Sequence, residues 1–474
     1  MSSHASSGLK KRYRVRRSGP LRGSVRVPGD KSIGHRSLIF AALGRGRSRI
    51  TGLSEGLDNA ATREAFRSMG VAVESTNEAT TVDGVGLHGL RMPADIIDCG
   101  NSGTTMRLLA GLLSGQRFGT RMVGDESLTR RPMGRVIKPL RARGAHIAGS
   151  AGAKPDELYP PISIAPLVEG EALKGIEYAM PIASAQVKSA LLLSGLYAGA
   201  PTAVEEPLLS RDHTERMMLA LGVPLQTAGA SVVLDPNLRW AGGWEPFDWH
   251  VPGDPSSAAF PLLAAAMVPG SEVSVSDVCV NPTRTGLFDW LRLLGANVAH
   301  RSSGHGAGDE PMAEISVAQR SVHGSVAGGE LIVRMIDEIP AVCALAAVSK
   351  GRTEIRDAGE LRVKESDRIA TMAHVLEAFG VPCEELPDGL IVSGGALLRG
   401  ATIESRGDHR IAMSFAVAGL FAEGETVIED VECVDTSYPG FAAELKRFMS
   451  SKISSGERTP VISSVFSREE LQER

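Results

Sequence analysis

The phrase Val-Pro-Gly-Asp occurs twice, at residues 27–30 and 251–254, and it marks an internal repeat that restricts the chain to very few architectures. Each copy leads into an Ala/Leu-rich stretch of helical character. Such a stretch recurs six times, at residues 31–43, 101–113, 184–197, 254–267, 337–348 and 408–421. Nearly all run through a glycine turn into β-rich segments, at 46–50, 115–123, 199–204, 270–275, 351–355 and 424–428. Apolar residues on almost every face predict helices buried on all sides. An amphipathic helix follows each copy. Five of these end at a glycine (Gly70, Gly144, Gly222, Gly295, Gly380) that fits the left-handed position terminating a helix, followed by a short strand. The sixth, at 441–449, has no such strand after it; residues 13–15 or 23–27 can supply one.

The unit is therefore a buried helix, an amphipathic helix and several short strands, roughly 70–80 residues in all. Three units lie between the two phrases and three after the second. The expected fold is α/β, with two similar domains of three units each. One spans 31–251; the other joins 13–30 to 252–449, with the two phrases as the hinge. The tails 1–12 and 450–474, rich in Ser and charge, are expected to be disordered, and 301–310, rich in Gly and Ser, to be a loop.

A chain of 474 residues is too long for one ordinary core, in keeping with two domains. A net charge of −4 argues against a surface built for nucleic acid, and 4% aromatic residues leave few platforms for base stacking. The five cysteines contain no Cys-x-x-Cys pair. They read as reduced thiols in a cytoplasmic protein, with neither zinc site nor disulfide scaffold. The longest apolar run, 411–422, contains Ser414 and falls short of the ~18 residues of a membrane span. The first twelve residues, polar and basic, carry no signal-peptide pattern.

The residues opening the buried stretches point to anions. They include Asp30-Lys31-Ser32, Asn101 to Thr105, Ser184-Ala185-Gln186 and Asp408-His409-Arg410. Polar side chains here satisfy the free N–H groups of a first turn, and the positive end of each helix favours phosphate or carboxylate. Lys31, Arg36, Arg107 and Arg410 accompany such openings, while Arg131 precedes Pro132 at another helix start, Arg211 opens the run 211–215, and Lys364 and Arg368 sit one helical turn apart. Parallel helices would aim all of them into one cleft.

Seven phrases in fixed order carry a resemblance to the EPSP synthases. They are Pro28-Gly29-Asp30-Lys31-Ser32 with Arg36, Gly100-Asn101-Ser102-Gly103-Thr104-Thr105-Met106-Arg107, and Leu128-Thr129-Arg130-Arg131-Pro132-Met133. They continue as Ser184-Ala185-Gln186-Val187-Lys188-Ser189-Ala190, Arg211-Asp212-His213-Thr214-Glu215, Arg362-Val363-Lys364-Glu365-Ser366-Asp367-Arg368 and Asp408-His409-Arg410-Ile411-Ala412-Met413. The similarity spans about 14–448. It implies two domains of βαβαββ units, an inside-out α/β barrel in each. It also implies transfer of the enolpyruvyl group of phosphoenolpyruvate to the 5-hydroxyl of shikimate 3-phosphate, by a monomer needing no metal or organic cofactor.

Residue by residue, the resemblance assigns shikimate 3-phosphate to Lys31, Ser32, Arg36, Ser184, Ala185, Gln186, Arg211, Asp337 and Lys364. It assigns phosphoenolpyruvate to Lys31, Gly103, Arg131, Arg368 and Arg410. Asp337 and Glu365 are the implied acid/base carboxylates, with Lys31 supporting charge. The chain departs from many relatives at Ala185, where a second serine is common, and at Thr436, where a lysine is common. Gly103 implies sensitivity to glyphosate, which relatives with alanine there tend to exclude. The nearest rival chemistry, enolpyruvyl transfer to a nucleotide sugar, typically uses a loop cysteine in the first-encoded domain, and the only cysteine in 31–251 is Cys99.

Overall fold

The computed structural model describes residues 11–152, 156–238, 240, 242–450 and 463–466. Six four-stranded sheets follow one plan. An outer strand runs parallel to its neighbour, and the third and fourth strands are antiparallel. Ile176–Ala179, Thr202–Glu205, Ser231–Leu234 and Leu225–Ala228 make one such sheet from consecutive chain.

Three sheets are completed from a distance. Asp248–His250 pairs with Arg45–Thr51 in the first unit, and Arg22–Val25 with Glu272–Cys279 in the fourth. Lys11–Arg16 pairs with Glu425–Glu429, so an N-terminal strand does close the sixth unit. On its other side Lys11–Arg16 pairs with Ser463–Phe466, and that segment of the expected disordered tail thereby fills the fourth position of the sixth sheet. Residues 1–10, 451–462 and 467–474 of the two tails lie outside the described residues.

The buried helices are Lys31–Leu43, Gly103–Leu113, Ala185–Gly195, Pro255–Met267, Ile339–Val348 and His409–Gly419. Side chains cap five of them. Asp30 accepts from Ile33 N, Ser102 from Thr105 N, Ser184 from Val187 N, Asp254 from Ser256 N and Asp408 from Arg410 N. All thirteen residues of Pro255–Met267 are buried, so deleting one of its leucines beyond Cβ costs about 2–5 kcal/mol. The glycines after the amphipathic helices hold positive φ, from 71° at Gly222 to 94° at Gly144.

Two hydrophobic cores result. One collects residues 33–251, with Cys279 and Ala307 added; the other collects 13–27 with 258–445, Cys279 and Ala307 excepted. Between them the two Val-Pro-Gly-Asp phrases lie side by side. Asp30 N donates to Pro252 O at 2.7 Å, and Asp254 N to Pro28 O at 2.9 Å. Arg284 binds both capping carboxylates, Asp30 Oδ2 at 2.7 Å and Asp254 Oδ1 at 3.0 Å. Much of 301–310, expected to be a loop, extends the strand Asn297–His305 against Pro311–Ala318. Ladder hydrogen bonds need no particular side chains, so a Gly/Ser-rich stretch with an exposed face can still be a strand.

Among the described residues, no helix is long and apolar enough to cross a membrane.

Candidate active site

The opening turns of all six buried helices line one cleft of about 410 Å³ between the two cores, with Lys31, Gly103, Ser184, Ser256, Asp337 and Arg410 each coming from a different unit. Nine lysines and arginines face it against six aspartates and glutamates. With the helix N-termini added, the cleft favours a ligand carrying several negative groups.

Fixed hydrogen bonds hold the wall. Arg107 Nη1 donates to Gln186 Oε1 at 2.8 Å, and Gln186 Nε2 donates to Thr104 Oγ1 at 2.8 Å. The amide of the third helix is thereby set by the second. A Cβ on Gly103 would stand 2.8 Å from Arg107 Nη1, so glycine leaves this guanidinium its position. Lys31 Nζ meets Asp58 Oδ2 at 2.8 Å. Arg131 donates to Asn101 Oδ1 at 2.6 Å and to Ser127 Oγ at 3.1 Å.

Ion pairs span the cleft from one half to the other. Arg211 Nη2 lies 2.5 Å from Asp337 Oδ2, Arg131 Nη1 3.4 Å from Glu365 Oε1, and Arg135 Nη1 2.6 Å from Glu360 Oε2. Asp337 also has Arg368 at 3.3 Å, Lys364 at 3.9 Å and Arg410 at 4.0 Å. Glu365 takes Arg368 Nη2 at 2.6 Å. Arg368 is itself anchored by Asp408, which accepts from Nε at 2.8 Å.

The surrounding cations favour the ionised form of both carboxylates. Burial pushes Asp337 upward, but Arg211, Arg410, Lys364 and Arg368 together hold it well below the usual carboxylate range. Burial acts likewise on Glu365, and Arg368, Arg131 and Lys31 outweigh it. His409 is driven well below its ordinary value by burial, with Lys31 and Arg410 adding to the effect, so its imidazole is neutral. Two carboxylates facing surplus cations can exchange protons with a substrate once its anions take up those cations.

Of the site residues expected from the sequence, every one lines this cleft except Arg36. Arg36 is buried behind the wall, donating to Ser32 O at 2.8 Å, Ser189 Oγ at 2.6 Å and Thr214 Oγ1 at 2.6 Å. Asp337 was expected to open its helix. That helix begins instead at Ile339, after a 3-10 turn over Ile336–Glu338, and this leaves the Asp337 carboxylate free of capping. Thr436 lies in an adjoining cavity, which shares Arg131, Lys364 and Glu365 with the cleft. Cys99 is wholly buried, its thiol pushed up by burial with Asp98 beside it, and it stays out of the cleft.

Asp58, Arg284, Arg135 and Glu360 also line the cleft, although the sequence reading passed over them. Each reaches it from an amphipathic helix, a 3-10 turn or a loop, where charge is commonplace. Arg107, expected among the basic residues aimed into the cleft, lines it as well.

Comparison with known proteins agrees with this geometry. The family model described as EPSP synthase (3-phosphoshikimate 1-carboxyvinyltransferase) matches residues 15–445. The 3-phosphoshikimate 1-carboxyvinyltransferase of Geobacter sp. (strain M21) is 48% identical over 429 residues, covering 90% of this chain and 97% of that protein. The enzyme of the same name from Syntrophotalea carbinolica is 50% identical over 428 residues, covering 90% and 96%. The solved EPSP synthase of Acinetobacter baumannii superposes with a TM-score of 0.80 at 42% identity, covering 92% of this chain and 98% of that one.

Proposed function

The chain belongs to the EPSP synthase family, and from that membership we propose how its residues divide the work. The reaction joins the enolpyruvyl group of phosphoenolpyruvate to the 5-hydroxyl of shikimate 3-phosphate and releases phosphate. In our reading Lys31, Ser32, Ser184, Ala185, Gln186, Arg211 and Lys364 hold shikimate 3-phosphate, with Arg36 acting from behind through Ser32. Lys31, Gly103, Arg131, Arg368 and Arg410 hold phosphoenolpyruvate. The convergence of Lys31, Arg131, Lys364 and Arg410 on one cleft carries the reading.

Each substrate brings a phosphate and a carboxylate, so four anionic groups must be gathered against their repulsion. Arginine forks pair with such groups in bidentate fashion. As the anions occupy Arg131, Arg368 and Arg211, Glu365 and Asp337 lose their counterions and their pKa values rise toward the working range. Asp337 then takes the proton of the 5-hydroxyl while its oxygen bonds to the central carbon of phosphoenolpyruvate. Glu365 delivers a proton to the methylene carbon, with Lys31 supporting the developing charge. In the second step the new methyl gives a proton back to Glu365, the double bond re-forms, and the carbon–oxygen bond to phosphate breaks, the leaving phosphate taking up the hydroxyl proton that Asp337 held.

The domain assignment belongs to the same reading. Residues 31–251 form one domain and 13–30 with 252–449 the other, supported by the two hydrophobic cores. The enzyme acts as a monomer that closes about the two crossings.

Phosphate release with the two named substrates tests the assignment. Glu365→Gln and Asp337→Asn should each lower kcat on the order of 10²–10⁴-fold. Wild-type turnover with UDP-N-acetylglucosamine as acceptor, and none with shikimate 3-phosphate, would overturn it.

A further inference from the structure

Directly behind the cleft wall formed by Ser184, Gln186, Ser210 and Arg211 lies a buried cluster of charge that the reaction does not use. Lys188 sits one turn into the helix Ala185–Gly195 with its side chain 1% exposed. Its Nζ lies 2.6 Å from Glu206 Oε2 and 2.6 Å from Glu215 Oε1. Glu206, whose side chain is 0% exposed, collects three more donors. Ser184 N donates to Oε1 at 3.2 Å, Ser210 N to Oε2 at 3.2 Å, and Ser210 Oγ to Oε1 at 2.5 Å.

Both oxygens of this carboxylate are thus filled by donors from three places. One is the backbone of Ser184, the residue that caps the third buried helix. Another is Ser210, which lines the cleft and immediately precedes Arg211. The last is Lys188 within the helix. A buried acid is stable only when paired and hydrogen-bonded, and among the described residues the ion-pair partner of this one is Lys188.

The network ties the helix start that carries Ser184, Ala185 and Gln186 to the loop that carries Arg211. Arg211 in turn reaches Asp337 of the other half at 2.5 Å.

We infer that Glu206, locked by Lys188, is a positioning residue for shikimate 3-phosphate: it sets the spacing between the Ser184 helix start and the Ser210–Arg211 loop to which that substrate binds. The inference rests on the site reading above. Three consequences distinguish it from mere stabilisation. Losing Glu206 affects shikimate 3-phosphate more than phosphoenolpyruvate, because its hydrogen bonds go to Ser184 and Ser210, on the shikimate 3-phosphate side of the reading. Glutamine in its place keeps one acceptor oxygen, and its amide nitrogen faces either Lys188 Nζ and Ser210 N, which share Oε2, or Ser184 N and the Ser210 hydroxyl, which share Oε1, so in either orientation a backbone N–H loses its acceptor. Removing only the Ser210 hydroxyl gives a milder form of the same defect without disturbing the buried pair.

The test measures KM and kcat for each substrate by phosphate release, with thermal unfolding alongside, for Glu206→Gln, Ser210→Ala and, as a probe of the site itself, Ser184→Ala. Glu206→Gln should raise KM for shikimate 3-phosphate roughly tenfold or more while KM for phosphoenolpyruvate moves less than about twofold. Ser210→Ala should shift the same constant in the same direction by less. Should Ser184→Ala raise that KM while Glu206→Gln and Ser210→Ala leave it unchanged, the positioning role falls and the site reading stands. An unchanged KM in Ser184→Ala would instead count against the site reading. If Glu206→Gln does not fold, Ser210→Ala decides alone: a selective rise in KM for shikimate 3-phosphate supports the inference, and an equal or absent effect on the two substrates overturns it.

Discussion

Arg211 and Asp337 come from opposite halves of the molecule and meet at 2.5 Å across the cleft. The contact makes Asp337 a junction between the halves, since Arg368, Lys364 and Arg410 converge on the same carboxylate from its own half. Arg211→Gln should therefore weaken closure as well as binding. Small-angle scattering of the wild type should show compaction on adding shikimate 3-phosphate, and the variant should show less. An equal change in radius of gyration in both would mean that Arg211 has no part in closing the halves.

Acidification should remove a defined share of stability. Asp337 and Glu365 have folded pKa values well below the ordinary carboxylate range, burial being outweighed by the arginines and lysine around them. A carboxyl of this kind binds fewer protons folded than unfolded at acid pH. Its contribution is full above the unfolded value of about 4 and disappears as pH falls through the folded one. Thermal unfolding of the wild type and Glu365→Gln should differ by a constant amount from pH 6 to 8, with the wild type higher. The gap should close only below about pH 4. A gap that widens on acidification would show that Glu365 is not held ionised by its neighbours.

Gly103 should govern both glyphosate and the shape of the wall. A methyl there would lie 2.8 Å from Arg107 Nη1 and 3.5 Å from Arg131 Nη1. The wild type should be inhibited by glyphosate in competition with phosphoenolpyruvate. Gly103→Ala should resist it by roughly tenfold or more, with KM for phosphoenolpyruvate raised. Steady-state kinetics at low phosphoenolpyruvate check this, and a wild type that turns over unchanged under saturating glyphosate would contradict it.

Arg284 is the obligatory partner of two buried caps. Asp30 is wholly buried; burial raises its pKa, but Arg284, His213, the Ile33 amide and Arg211 bring it down to about 2. Arg284→Met strips Asp30 and Asp254 of their counterion and should cost about 3–5 kcal/mol. Chemical denaturation measures it, and a loss below about 1 kcal/mol would mean water or other groups already satisfy these carboxylates.

Much of this architecture was legible in the chain because each repeat carries its own punctuation. The Asp, Ser and Gly residues that start and stop helices act locally, so all six buried helices and the five terminal glycines could be read with their order. The cleft was legible where its residues sit on those helix starts, and Arg131, Arg211, Lys364, Glu365 and Arg368, which lie off them, were reached through the family resemblance. Asp58, Arg284 and the Arg135–Glu360 pair were not, because their relevance arises only when distant units pack together. Arg36 shows the converse: it stands in a matching phrase, yet the packing of Ser189 and Thr214 draws its guanidinium behind the wall. The strand at Ser463–Phe466 escaped because it is a short run within a tail rich in Ser and charge, and the edge of Lys11–Arg16 gives it a partner.

The way the first unit series is inserted into the second has a consequence for synthesis on the ribosome. Arg22–Val25 must wait for Glu272–Cys279, and Lys11–Arg16 for Glu425–Glu429. At about 5–20 residues per second, the earlier of these partners emerges on the order of 10–50 s after the strand that needs it. Throughout that interval the nascent chain carries two unpaired strand edges ahead of a core that can already form, and this is the window in which a chaperone would find most to hold.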